Sequence, residues 1–422
     1  MNVGWKLGLV ACGCFLGSAA WALSLEEALL RAGEAPDTRA LAAEAEASGA
    51  RLVAAGRLPD PRLVLGVEDF MLEGDARYRV RDSSRMISVM QEIPSSSRRA
   101  AQRQQARAAL EETRRAHALS RLAARREASL AWIRLYFLEQ KQQLLAAQQQ
   151  EIRLRQEVAK AALAGGAKPE AALETLLEAQ DLAEAADLLA RDIRLARVGL
   201  ARWIGPLPDS EGATGELPPW LFADAPQGST GKDAEDTEHV TELRASAARI
   251  GMAEAEVALA RAGKDANWNV EFGLGQDAMG KNMLMAKVGF SLPLFAATRQ
   301  DPGIAAAWAA LRRSEAEHAA RRAEFERQRM ERQAEAQTLA LQLARLETET
   351  LPLLERGIAL AEATFSSGTG TAAALIRARE KHLAARMRRV ELESEHALVR
   401  ARLYFLQERE ERADVDAINT FR

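Results

Sequence analysis

The chain is almost without cysteine. It has two in 422 residues, Cys12 and Cys14, both within the first 22. A mature chain beginning after them would hold no disulfide and no thiolate metal site. Aromatics are scarce, at 5%, against 28% charged residues, a balance that suits long helices better than a dense globular core. No sign of charge dominates, since the net charge is −3, and nothing global points to a nucleic-acid partner. After residue 22 no apolar run reaches 18 residues, which excludes a transmembrane helix there. The five histidines, His117, His239, His318, His382 and His396, are scattered without metal-ligand spacing. No phosphate loop of the G-x-x-x-x-G-K-[ST] form occurs, and Gly273-Leu274-Gly275 is followed by Gly280 at the wrong spacing for a dinucleotide fingerprint. No nucleophile–base set stands out. These absences lead to the expectation of a non-enzyme with no cofactor and no resident metal.

Residues 1–22 read as a secretory signal peptide. Lys6 precedes an apolar run from Leu7 to Ala20, and Ala20-Trp21-Ala22 is a small-x-small cleavage site. The rival is Leu9-Val10-Ala11-Cys12, which has the form of a lipoprotein box and would leave a lipid on Cys12. The apolar stretch before it, about five residues, is shorter than a usual signal core, so cleavage after Ala22 is the reading adopted.

What the chain does have, it has twice. Each copy runs short helix, strand, loop, strand ending in proline, long helix, glycine turn, returning helix. The strand ends Gln91-Glu92-Ile93-Pro94 and Ser291-Leu292-Pro293-Leu294 place their prolines 199 residues apart. Solenoid repeats run only roughly 20–50 residues, so this is a duplicated half. The first repeat covers 23–205, with a strand hairpin at 62–93 and a turn at 164–168. The second covers 241–411, with a strand hairpin at 268–293 and a turn at 366–370. A Pro- and Gly-rich connector, 206–240, joins them, and 412–422 is a polar tail.

Residues 24–56 read as one helix, opened by Ser24 with Glu27 at capping-box spacing. The strands alternate: Leu63, Leu65 and Val67, then Ile87, Val89 and Ile93, then Trp268, Val270, Phe272 and Leu274, then Ala286, Val288, Phe290 and Leu292, each set opposed mostly by polar or small residues, with Val64 and Met90 as exceptions. That is the pattern of transmembrane barrel strands; the plainer reading is an amphipathic hairpin on a soluble domain. Four strands cannot enclose a channel, for which about eight are needed, so any barrel must draw on several chains. From Ser97 to Leu163 there is no proline or glycine, a helix of roughly 100 Å at 1.5 Å per residue. The corresponding stretch Ile304–Phe365 is interrupted by Pro352 and Gly357. Returning helices are expected at Pro169–Ile204 and Thr371–Glu411. Leu130, Ile133, Leu135, Phe137, Leu138 and Leu144 are too broadly spread for a single a/d seam, which implies neighbours on more than one side.

In their order, spacing and duplication, these residues resemble the TolC family of outer-membrane efflux proteins, over essentially the whole mature chain. The particulars are Ser88-Val89-Met90-Gln91-Glu92-Ile93-Pro94, Leu292-Pro293-Leu294-Phe295, Leu200-Ala201-Arg202-Trp203-Ile204-Gly205 and Phe365-Ser366-Ser367-Gly368-Thr369-Gly370. The strand ends and the Trp-Ile-Gly are most similar to the heavy-metal (CzcC- and CusC-like) branch. The resemblance implies a mainly α fold with a small β part. It also implies a homotrimer, with a twelve-stranded β-barrel in outer-membrane lipid and a long periplasmic α-barrel ringed by the connector. Its partners would be a periplasmic adaptor (membrane fusion) protein and an inner-membrane RND-type pump. The chain would then be the passive exit duct of a tripartite efflux system for heavy-metal cations. The alternatives are a duct for drugs or secreted proteins, or a periplasmic coiled-coil adaptor or structural protein.

Gly165, Gly166, Gly368 and Gly370 are the candidates for the periplasmic tip and adaptor docking, although glycine also simply ends a helix. Glu170, Glu174, Glu178 and Asp181 follow the first turn on one helical face. Three copies would form stacked acidic rings favouring cations; the simpler reading is a hydrated helix face. Where drug exporters of the family often carry gate aspartates, this chain has Ala374 and Arg377, and Arg377 is a candidate bridge to an acid on the neighbouring hairpin. Met86, Met90, Met279, Met283 and Met285 cluster in and beside the strands. Thioethers suit Cu(I), and methionine is equally a flexible filler.

Overall fold

The computed structural model describes residues 23–68, 83–166, 170–208, 212–213, 215–221 and 240–408. The expected signal peptide, most of the connector and the polar tail lie outside them. The elements are α1 (Leu25–Gly33), α2 (Pro36–Ala54), β1 (Arg62–Glu68), β2 (Ser84–Ile93), α3 (Ser96–Ala164), α4 (Glu170–Ile204), α5 (Thr241–Ala262), β3 (Trp268–Gln276), β4 (Asn282–Phe290), α6 (Ala296–Arg345), α7 (Leu351–Ser366) and α8 (Ala372–Leu406). A 3₁₀ turn, Pro219–Leu221, belongs to the connector, and a π-turn, Leu346–Thr350, joins α6 to α7. The architecture is mainly helical with one small antiparallel sheet, and its order repeats the duplicated pattern.

Three expectations on helices need correction. The helix expected over 24–56 is two, because Pro36 supplies no N–H and opens α2 instead of continuing α1. The Ser24 cap is present, its Oγ accepting from the Glu27 N–H at 3.2 Å. The second long helix starts at Ala296 and carries Pro302 near its start, and Gly357 does not interrupt it. Pro352 falls just beyond the π-turn, which widens the ladder where a proline would clash with the preceding turn. Finally, α8 ends at Leu406.

The described residues form two compact units. One holds the residues up to Arg31, Ala128–Pro219 and Leu343–Glu395; the other holds Ala32–Glu127, Trp220–Gln342 and the residues from His396. In the first unit, α3 is buried on several sides at once: Leu130, Trp132, Ile133, Leu135 and Phe137 are all buried, as the breadth of the apolar pattern required. The Trp132 indole donates to the Leu23 carbonyl at 2.9 Å, and Leu23 bridges Ala213 of the connector. Glu139 fastens the connector as well, accepting from the Ala213 N–H at 3.0 Å and from Arg197 at 3.4 Å. Burial raises the Glu139 carboxyl pKa, with Arg197 opposing.

In the second unit the sheet order is β1-β2-β3-β4, all antiparallel. Below the strands, the junctions of the two halves are tied together. The Ser95 N–H donates to Asn267 Oδ1 at 3.1 Å, Ser97 Oγ donates to Asp265, and the Asn267 N–H donates to Ser291 Oγ at 3.0 Å. Further along, Val240, Leu243, Phe325 and Leu406 form one buried cluster, and Trp220 stacks on Tyr404 at 4.3 Å.

Replacing Trp132 with Phe removes the donor to a buried carbonyl while keeping most of the ring. We expect a loss of about 1–3 kcal/mol, read as a lowered midpoint in thermal unfolding followed by circular dichroism.

Candidate channel surfaces: the sheet and the helix turns

The sheet register sorts the side chains. Leu63 faces Val89 and Leu65 faces Ile87 across β1–β2; Ile87 faces Leu274 and Val89 faces Phe272 across β2–β3; Trp268 faces Phe290, Val270 faces Val288 and Leu274 faces Leu284 across β3–β4. Because side chains alternate strictly along a strand, these residues share one face. That face is largely apolar, and it is exposed in this chain: Leu65 is 74% accessible and Leu284 78%. The opposite face carries Ser88, Glu92, Asn269, Glu271 and Lys287, with the Ser88 hydroxyl donating to Glu271. Glycines on β3 and β4 make room on this face. A Cβ at Gly273 would lie 2.8 Å from the Ser88 Cβ, and one at Gly289 would collide with the Asn269 side chain. The β3–β4 hairpin closes on Asp277, whose carboxylate accepts from the N–H groups of Met279 (2.9 Å) and Lys281 (2.7 Å), while Gly280 takes φ +80°. Among the described residues β1 and β4 have no outer partner strand.

The two turns of the first unit are built differently. At the first, the Gly165 N–H reaches the Ala161 carbonyl and the Gly166 N–H reaches Leu163, with Gly166 at φ +88°. Residues 167–169, including the expected first-turn Pro169, lie outside the described set. At the second, Gly368 at φ +76° ends α7, and the Thr369 and Gly370 N–H groups both return to the Thr364 carbonyl at 3.0 and 2.8 Å. These bonds satisfy the carbonyls that a helix end leaves open. A Cβ at Gly370 would meet Thr364 Oγ1 at 2.7 Å. Gly165, Gly166 and Gly368 are exposed and Gly370 is half-buried.

The candidate acids do not form one free set. Glu178 is paired with Arg155 at 2.9 Å. Glu174 and Asp181 are exposed and make no ion pair among the described residues, while the Glu170 side chain lies outside them. Ala374 is half-buried; Arg377 is exposed and pairs with no acid of this chain among the described residues. The basic residue that does bridge is Arg379, to Glu362 at 3.0 Å and Glu151 at 3.7 Å.

A ladder of ion pairs, which the sequence reading missed, runs along this unit. Arg155 on α3, only 15% exposed, holds both Glu178 on α4 and Glu380 on α8. Lys141 on α3 pairs with Glu391 on α8 at 3.0 Å, and Arg389 on α8 with Glu347 at 2.9 Å. The only sequence signal for it was complementary charge on helices expected to be neighbours. Exposed pairs of this kind contribute little singly, at about 0–1 kcal/mol; the half-buried, doubly bonded Arg155 is the strongest rung.

The hydrogen bond from Lys141 holds the Glu391 carboxyl below its ordinary value near 4.5, against an opposing effect of burial. A depressed carboxyl binds fewer protons folded than unfolded, so its contribution is complete above that ordinary value and is lost as pH falls through the lower folded value. Urea unfolding from pH 6 to pH 3.5 is therefore expected to lose less stability in Lys141→Met than in the parent.

No protein-family model and no curated protein matches the chain. Solved structures do match. The CmeC outer-membrane channel of Campylobacter jejuni superposes with a TM-score of 0.78, at 10% identity, over 94% of this chain and 88% of that one. The outer-membrane protein VceC of Vibrio cholerae gives 0.73 at 16%, over 91% and 95%. CusC, described in terms of transmembrane channel formation, gives 0.72 at 14%, over 92% of each. The fold of this chain is therefore the fold of these TolC-type channels. It is no more like CusC than like the other two.

Proposed function

We propose that this chain is the outer-membrane exit duct of a tripartite efflux system, a passive channel and not an enzyme. The observation that carries this reading is the sheet: one apolar and one polar face, with two edges left open. In hydrocarbon, every backbone N–H and C=O needs a partner, and an open edge costs several kcal/mol per unpaired group. Joining β1 of one copy to β4 of the next removes both edges. Three copies then give a twelve-stranded barrel with the apolar face to lipid and the polar face to the lumen. The likeness to outer-membrane channels over more than nine-tenths of this chain supports the same reading. A periplasmic adaptor or structural protein has no use for an exposed apolar sheet, which counts against that alternative.

In this reading the helices extend into the periplasm, and the glycine turns at 165–166 and 368–370 meet the adaptor protein, behind which an RND-type pump supplies the energy. The gate is the ion-pair ladder centred on Arg155 and Arg379. Heavy-metal cations are the proposed cargo, aided by Glu174 and Glu178; a duct for drugs or secreted proteins is the alternative that this chemistry favours less.

The protein is expected to fractionate with the outer membrane as a homotrimer and to form pores in planar bilayers; a soluble monomer overturns the channel. Replacing both Arg155 and Arg379 with Ala should raise pore conductance or open probability several-fold. The double variant Glu174→Gln, Glu178→Gln should lower cation preference in reversal-potential measurements, and an unchanged preference removes the acidic rings from the account.

A further inference from the structure

The register divides the apolar face of the sheet into rows, and one row breaks its pattern. Farthest from the helices, Val67, Arg85, Gln276 and Asn282 stand side by side across the four strands. The next two rows, from Leu65 to Leu284 and from Leu63 to Ala286, are apolar throughout. Gln91, in the fourth row, spends its amide on the Pro59 and Glu92 carbonyls, at 2.8 Å each. The row nearest the helices is Ile93, Trp268 and Phe290, with its two rings 5.3 Å apart. The face thus begins in an aromatic rim and ends in a polar, cationic one.

The cation is held in place. Arg85 Nη2 donates to Gln276 Oε1 at 3.0 Å, and Gln276 Nε2 donates to the Gly280 carbonyl at 2.9 Å. The guanidinium is therefore tethered to the β3–β4 hairpin through one of its five N–H donors. Arg85 is exposed, and it pairs with no acid among the described residues. Asp277, on the same hairpin, turns its carboxylate to the Met279 and Lys281 N–H groups, and the exposed Lys281 adds a second cation there.

The two rims stand a membrane's depth apart. From Arg85 to Ile93 along β2 is about 27 Å at the usual rise of a strand. With strands tilted as in barrels, this is about 20 Å of depth, close to the apolar band such barrels present to lipid. A charge within hydrocarbon is costly. Where the acyl chains end, it meets phosphate oxygens, which a guanidinium fork matches with two parallel N–H groups. We propose that Arg85, held by Gln276 and flanked by Asn282, binds the exposed phosphate of an anionic lipid headgroup at the distal rim of the sheet. The row at the opposite rim carries no cation, so this face tells the two surfaces of the membrane apart. The proposal rests on the channel reading for placing the face in lipid.

The test is native mass spectrometry of the full-length, detergent-solubilised protein, titrated with phosphatidic acid or with phosphatidylcholine of the same acyl chains. Phosphatidic acid is expected to bind about fivefold more tightly, the worth of one arginine beside an anionic lipid surface. Arg85→Gln should bring the two lipids level, and Lys287→Gln, on the polar face, should keep the preference. The proposal is overturned if the parent shows no preference or if Arg85→Gln retains it. It is overturned as well if Lys287→Gln, or Arg299→Gln near the start of α6, abolishes the preference instead. Should Arg85→Gln fail to fold, Arg85→Met, an unbranched apolar chain suited to a lipid-facing row, decides in its place. Pore formation by the same preparation separates the site from the channel. Pores without the preference sink the site and leave the channel; a preference that Arg85→Gln removes, without pores, supports the site and sinks the channel.

Discussion

Everything in the proposed assembly depends on a backbone requirement: a sheet placed in lipid has no edge. Side-chain chemistry sets which face of β1 to β4 turns outward, but the unpaired N–H and C=O groups of β1 and β4 require other copies to complete the sheet. Four strands leave most of the apolar face exposed, and its most exposed large apolar side chains are Leu65 and Leu284. The same strands in a lone soluble chain would be an aggregation hazard. Closure by neighbouring copies resolves the edges and the exposed face together, which is why the period-two pattern and the topology belong to one argument.

Much of this was legible in the sequence because it rests on local rules. Period-two alternation located the strands, and the absence of glycine and proline between Ser97 and Leu163 located α3 almost to the residue. Duplication then joined the two halves into one order. The failures were local as well. Pro36 was overlooked within a helical stretch, and the second long helix was begun at Ile304 although it starts at Ala296 and accommodates Pro302. Gly357 was given a break that the helix around it does not need. A proline or glycine is a local penalty, and its outcome depends on how much packing surrounds it.

The candidate site was less legible, because it depends on which helices are neighbours. The acids after the first turn were read as one helical face, yet Glu178 is held by Arg155, some twenty residues earlier and on another helix. Arg377 was singled out by its spacing, whereas two residues on, Arg379 makes the bridges. On a helix, two residues is a turn of about 200°, enough to exchange an inward side chain for an outward one. Spacing alone cannot choose between them without knowing the neighbour.

The inequality of the halves has a physical role. The first returning helix begins acidic, with Glu174, Glu178 and Asp181, and the second begins basic, with Arg377 and Arg379. Were the duplication exact in charge, the second hairpin would present to α3 the same sign as the first. Arg155 meets an acid from each returning helix, Glu178 and Glu380, and the difference shows at Glu151, which finds Arg379 on α8 of the second half. The pairs Arg155–Glu380, Arg379–Glu151 and Lys141–Glu391 join the two repeats, and Arg155 also ties α3 to its own return. Such contacts are individually weak and screened by salt, so they hold one arrangement of the hairpins without making it permanent, which is what the proposed gated duct would need.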